Sequence, residues 1–136
     1  MKHLVQIRTR LVCHGEDGEE VVERIYRGTW SRRDDRHLLH YLDEENGGEV
    51  HFLISPGRAD LRRSGNTVSR MVFAEGLLHE SDYATQAGVF QLGVRTGRYG
   101  LCITDDGGRL QAAYAIETGG RRVSFNELLV IWKYLN

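Results

Sequence analysis

The sequence predicts an all-β protein, an antiparallel β-barrel of about eight to ten strands in a single domain spanning residues 1–136. Three observations carry this. Apolar residues recur at every second position within short runs, the period of a half-buried strand. The 16 glycines fall between those runs as punctuation, while proline occurs once, at Pro56. Favoured hairpin dipeptides, Asp17-Gly18 and Asn46-Gly47 among them, separate consecutive runs.

The elements follow in order. Leu4 to Cys13 sets Val5, Ile7, Thr9, Leu11 and Cys13 on one face and Gln6, Arg8 and Arg10 on the other. HGEDGEE then turns the chain into a second strand, Val21 to Trp30. RRDDR turns it again into HLLHYLDE, and ENGGE into VHFLIS. After Ser55-Pro56-Gly57 comes DLRRSGNTVSR, a strand, a bend at Gly65-Asn66 and a further strand. GLLHESDYATQAG lacks clear periodicity and is expected to be a loop or lid crossing one barrel end, with Tyr83 and Thr85 ahead of Gly88. Phe90, Leu92, Val94 and Thr96 then share a face, as do Tyr99, Leu101 and Ile103 beyond Gly97. Leu110, Ala112, Tyr114 and Ile116 form the next face, and TGG leads into the last run.

Two segments also carry helical signals. Ser124 precedes Glu127 by three residues ahead of an apolar run, and Leu38, Leu39 and Leu42 have helical spacing. The strand-forming Val130, Ile131, Trp132 and Tyr134, and the lack of a closing cap, favour strand for both. The final run is apolar on both faces, with Val123, Phe125, Leu129 and Ile131 on one and Leu128, Val130, Trp132 and Tyr134 on the other. One face serves the barrel. The other needs a cover, either local or a second copy of the chain, so a homodimer is expected as one solution.

Composition narrows the functional classes. The 18 Lys and Arg against 19 Asp and Glu leave a net charge of −1, which argues against a dedicated nucleic-acid binder. Two cysteines, Cys13 and Cys102, make no disulfide framework and read as reduced thiols of a cytoplasmic protein. The segment MKHLVQIRTRLVCH is charged throughout and is not read as a signal peptide; no run is long enough to span a membrane. Along the chain there is no His-x-His pair and no Cys-x-x-Cys, and on a strand His37 and His40 face opposite ways, so neither a metal site nor a cofactor is expected. No nucleophile elbow or phosphate loop appears, and the protein is not expected to be an enzyme.

The order of motifs is nevertheless familiar. Arg63-Ser64-Gly65 ends a strand that leads from Gly57. A strand with Phe73 follows, then Tyr83-x-Thr85-x-x-Gly88, the run ending at Thr96, a hairpin with Tyr114 and a C-terminal apolar strand. In this it resembles the YwiB-like family of small bacterial proteins, a domain-of-unknown-function family; Ala87 departs from it, at a place where proline is common. The resemblance covers nearly the whole chain. It implies a calycin-like, lipocalin-type β-barrel and a bacterial cytoplasmic setting, and by fold analogy small-molecule binding. It implies no catalytic or binding residue.

The residues themselves point to Arg63. Ala59, Leu61, Arg63 and Gly65 share one face and Asp60, Arg62 and Ser64 the other, so Arg63 is expected to project inward. A shift of register by one would pass that role to Arg62. A buried guanidinium needs a partner. Either Glu75, Glu23 or backbone carbonyls supply it, or the guanidinium anchors a small anionic ligand through its fork. In the second case Tyr83, Tyr114 and Trp132 would line the walls. Trp30, Tyr41, Tyr114 and Trp132 are expected inside the barrel in either case. The competing expectation is a filled barrel that acts through its surface, as a dimer or with a partner.

Overall fold

A computed structural model describes residues 2–135. The described residues form ten strands and no helix: β1 (Lys2–Gly15), β2 (Gly18–Arg33), β3 (Arg36–Asp43), β4 (Gly48–Ser55), β5 (Arg58–Arg63), β6 (Ser69–Phe73), β7 (Leu78–Thr85), β8 (Gly88–Thr104), β9 (Gly107–Thr118) and β10 (Arg121–Tyr134). They make one antiparallel sheet in the order β6-β5-β4-β3-β2-β1-β10-β9-β8-β7. Sequence neighbours pair along β1 to β6 and along β7 to β10, and β1 pairs with β10 in the middle of the sheet. No helix is long and apolar enough to cross a membrane.

The sheet curls until β6 meets β7, and the barrel is nearly closed there. A single bridge joins Val68 to Ala84 through reciprocal backbone bonds of 2.9 Å. Ser81 Oγ adds a 2.7 Å bond to the Arg70 carbonyl, and Thr96 exchanges bonds with Gly76 and Leu77. Both ambiguous segments are strands, β3 and β10. Their inward residues pack into one core, which offsets the local helical signal.

Two expectations need correction. GLLHESDYATQAG is no loop: Leu78 to Thr85 form β7, paired with β8 from Leu78↔Arg95 to Thr85↔Gly88. Its irregular pattern reflects a seam strand that is half-buried along much of its length. The first hairpin is also longer than the apolar pattern suggests. Gly15 pairs with Gly18 across a two-residue turn, so polar residues 14–20 extend both strands as an overhang.

The inward face is continuous across strands. Val5, Ile7, Trp30, Leu39, Phe52, Ile54, Ala59, Leu61, Phe73, Leu110, Val130 and Trp132 belong to one buried cluster. In β8 a bulge between Thr96 and Arg98 shifts the alternation by one, so Thr96 and Tyr99 lie opposite Tyr114 and Ala112 of β9. Gly97 sits at that step, as the change of parity beyond it in the sequence anticipates.

The turn after β5 is locked from outside. Asn46 donates from Nδ2 to the carbonyls of Ser64 (2.9 Å) and Thr67 (3.0 Å), and its Oδ1 accepts the Thr67 N–H at 2.8 Å. Gly65, at φ +119°, lies so close to Asn46 that a Cβ would approach its carbonyl oxygen at 2.4 Å.

Candidate functional site

Arg63 closes β5, between Val50 of β4 and Ser69 of β6. It shares the inward face with Ala59 and Leu61, while Arg62 turns outward beside Asp60. The question of which arginine enters the barrel is thereby settled in favour of Arg63. Among the described residues its guanidinium makes no hydrogen bond and no ion pair. The partners expected for it are engaged elsewhere: Glu75 accepts the Tyr99 backbone N–H at 3.2 Å, and Glu23 sits 3.8 Å from Arg10.

Three tyrosines on three strands lie within the field of the Arg63 guanidinium, namely Tyr26 of β2, Tyr41 of β3 and Tyr114 of β9. Tyr26 stacks on Tyr41 with ring centroids 4.3 Å apart, and Tyr114 packs on Phe73 at 4.8 Å. Burial pushes all three phenols up, Tyr114 to about 12, and the Arg63 charge opposes this without cancelling it. Their hydroxyls therefore stay protonated at neutral pH and serve as donors. Asp43 lies on the same inward face as Tyr41, and its charge adds to the upward push on Tyr26 and Tyr41.

The polar rows continue around the wall. Cys13 of β1 pairs in register with Asn126 of β10, and Asn126 with Tyr114. Beyond Cys13 and Ser124 opens a cleft of about 840 Å³ between the β1–β2 overhang and β10, edged by Glu16, Glu19, Arg121 and Arg122. Below this end the interior is packed by large side chains, including Trp30, Trp132, Phe52 and Phe73. The polar end therefore has a solid floor.

The expected wall residues divide. Tyr114 is buried on the inward face and feels the Arg63 charge. Tyr83 lies on β7 opposite Phe90, half-buried, and nothing connects it with Arg63. Trp132 is wholly enclosed at 0% exposure, edge-on to Trp30 at 6.0 Å and against Gly108. Its place is in the packed core. Tyr26 and Asp43 were not singled out by the sequence, because their nearness to Arg63 depends on sheet curvature across four strands. Both cysteines are free thiols.

The fold defines a class: a nearly closed, up-and-down antiparallel barrel. The chain belongs to the family described as "Domain of unknown function (DUF1934)", which matches residues 5–130. Among solved structures, it is similar to the "Crystal structure of ywiB protein from Bacillus subtilis", with a TM-score of 0.88 over 99% of this chain and 94% of that one. The two share 18% identity, so this likeness carries the fold alone. The resemblance drawn from motif order is borne out. No curated protein matches the chain.

Proposed function

We propose that this protein is a non-enzymatic binder of a small anionic molecule, held at the Arg63 end of the barrel. The observation that carries the reading is an inward-facing guanidinium without a partner among the described residues, ringed by Tyr26, Tyr41 and Tyr114. Arg63 is half-buried, so its guanidinium has lost part of its hydration, and a carboxylate fits its fork. The protonated phenols of Tyr26, Tyr41 and Tyr114 are further donors within the reach of the same charge. Asp43 offsets part of the positive field, which suits a monoanion better than a polyphosphate. The two free thiols support a reducing, cytoplasmic setting.

Native mass spectrometry of gently purified protein, followed by thermal-shift titration with monocarboxylates, tests this. A co-purifying anion or a raised melting temperature is expected, and Arg63→Met should abolish it. A wild-type protein that carries no anion and responds to none overturns the reading.

One observation favours a second reading, a homodimer. On the outer wall Ile25 is 61% exposed beside Leu129 and Ile131, in a cleft of about 560 Å³ flanked by Arg8, Arg10 and Glu23. The mixture of charges around an apolar centre suits a self-complementary two-fold contact. Sedimentation showing a dimer that Ile25→Asp dissociates supports it; a monomer at high concentration ends it.

A further inference from the structure

We propose that His40, Glu49 and His51 form a metal site on the outer wall of the barrel, for a divalent late first-row ion such as Zn²⁺, Ni²⁺ or Cu²⁺. Spacing along one strand does not reveal this site, and none was expected from the sequence. Register creates it. His40 of β3 and His51 of β4 are direct partners across the sheet, and Glu49 lies two residues before His51, on the same face.

The side chains are already gathered. The imidazole rings of His40 and His51 lie 4.5 Å apart, and His40 Nε2 is 3.1 Å from Glu49 Oε1. One ligating atom from each of the three residues falls within 4.8 Å of the others. Bonds of about 2.0–2.1 Å at a tetrahedral centre require neighbouring ligand atoms roughly 3.3 Å apart. The His40–Glu49 pair, at 3.1 Å, meets that spacing, and the His51 ligand atom lies within 4.8 Å of both. The two imidazoles are borderline donors that favour zinc, nickel and copper over magnesium or calcium, and the carboxylate is a harder donor that zinc also accepts. Both histidines are half-buried and Glu49 is exposed, which leaves the fourth position to water.

The nearest objection is Arg62, the register partner of His51 on the other side, whose charge would repel a cation. Its guanidinium is turned away, donating to both Asp60 oxygens at 3.3 and 3.4 Å. The site lies on the opposite face of the sheet from Arg63, so it is independent of the interior ligand reading.

Titration calorimetry of the full chain with zinc chloride, and then nickel chloride, tests the proposal. One ion per chain is expected. His40→Ala or His51→Ala should weaken binding by at least tenfold, and Glu49→Gln by a smaller factor. His14→Ala is the control, because His14 sits with Glu19 and Glu127 in a separate cluster and should change nothing. Cu²⁺ electron paramagnetic resonance gives an independent readout, with coupling to two imidazole nitrogens in the wild type and to one in His51→Ala. Absence of binding, or binding that survives loss of both His40 and His51, or that His14→Ala removes, overturns the assignment.

Discussion

Trp30 donates its indole N–H to Nδ1 of His37 at 3.1 Å, and both residues are 2% exposed. This bond requires a lone pair on Nδ1, so it selects the neutral imidazole. Burial, and then the charge of Arg32, hold the His37 pKa below the ordinary 6.5. The sign follows directly. A depressed histidine binds fewer protons when folded than when unfolded, so its contribution is full above about 6.5 and is lost as the pH falls below that.

Stability should therefore decline between pH 7 and pH 5, with His37 as a main source. His37→Gln keeps an acceptor for Trp30 but does not titrate. Melting temperatures across that range should fall less steeply in the variant. His79, whose pKa is also lowered by burial and by Arg70, contributes a remaining slope. Parallel curves for the variant and the wild type would remove His37 from the account.

On the outer wall, Asp60 lies between Arg70 and Arg62, with its shortest bond, 2.7 Å, to Arg70 Nη2. Burial raises its pKa, but the hydrogen bonds from Arg70 and Arg62 prevail and hold it below 3.8. Both arginines are about half exposed, so solvent screens the pair. Asp60→Asn should cost about 1–2 kcal/mol at pH 7 in urea unfolding. A carboxylate with a depressed pKa stabilises above its unfolded value, so the gap between wild type and variant should shrink as the pH falls below 3.8 and through the folded value.

How much of this was legible follows from what sets each feature. Alternation along a strand is local, so the inward set of β1, β5 and β9 and the inward turn of Arg63 could be read directly. The arginine's neighbours could not. Tyr26, Tyr41 and Tyr114 meet it only because the sheet curls, and curvature is a sum over strand pairs rather than a property of any one segment. The same holds for His40 and His51, whose meeting depends on the β3–β4 register. Tyr83 was misplaced in a loop because a half-buried seam strand does not alternate cleanly. Trp132 was correctly placed inside, but the closeness of Gly108 against its ring shows that it fills the core.

That contact gives a sharp test of core packing. A Cβ on Gly108 would lie 2.2 Å from Trp132 Cζ2, and the ring also packs edge-on to Trp30 at 6.0 Å. Gly108→Ala should destabilise by about 1–3 kcal/mol, the cost of overpacking. The near-ultraviolet circular dichroism of the tryptophan pair should change with it. An unaltered spectrum and melting point would mean that the core yields at this point.

The lock at Asn46 ties stability to the candidate site. Its three hydrogen bonds hold residues 64–67, which follow Arg63 directly. Asn46→Ala leaves two carbonyls and one N–H unpaired and should cost about 2 kcal/mol. Hydrogen exchange should quicken at Thr67, and the carboxylate response should weaken although Arg63 is intact. Loss of stability without loss of the ligand response would show that the turn does not position the arginine.

The last prediction separates a ligand anchor from a structural ion. If Arg63 served the fold, its removal would strand a buried partner, and such losses run to about 3–5 kcal/mol. No ion pair engages it among the described residues, and its side chain is only half-buried, so Arg63→Met removes a partly solvated charge together with its weak attraction to Asp43. The apolar stem stays to fill the space. The variant should match wild-type stability to within about 1 kcal/mol, equivalent to roughly 2–4 °C for a chain of this size. A melting temperature that drops by several degrees would make Arg63 a structural residue, and the anion reading would lose the observation it rests on.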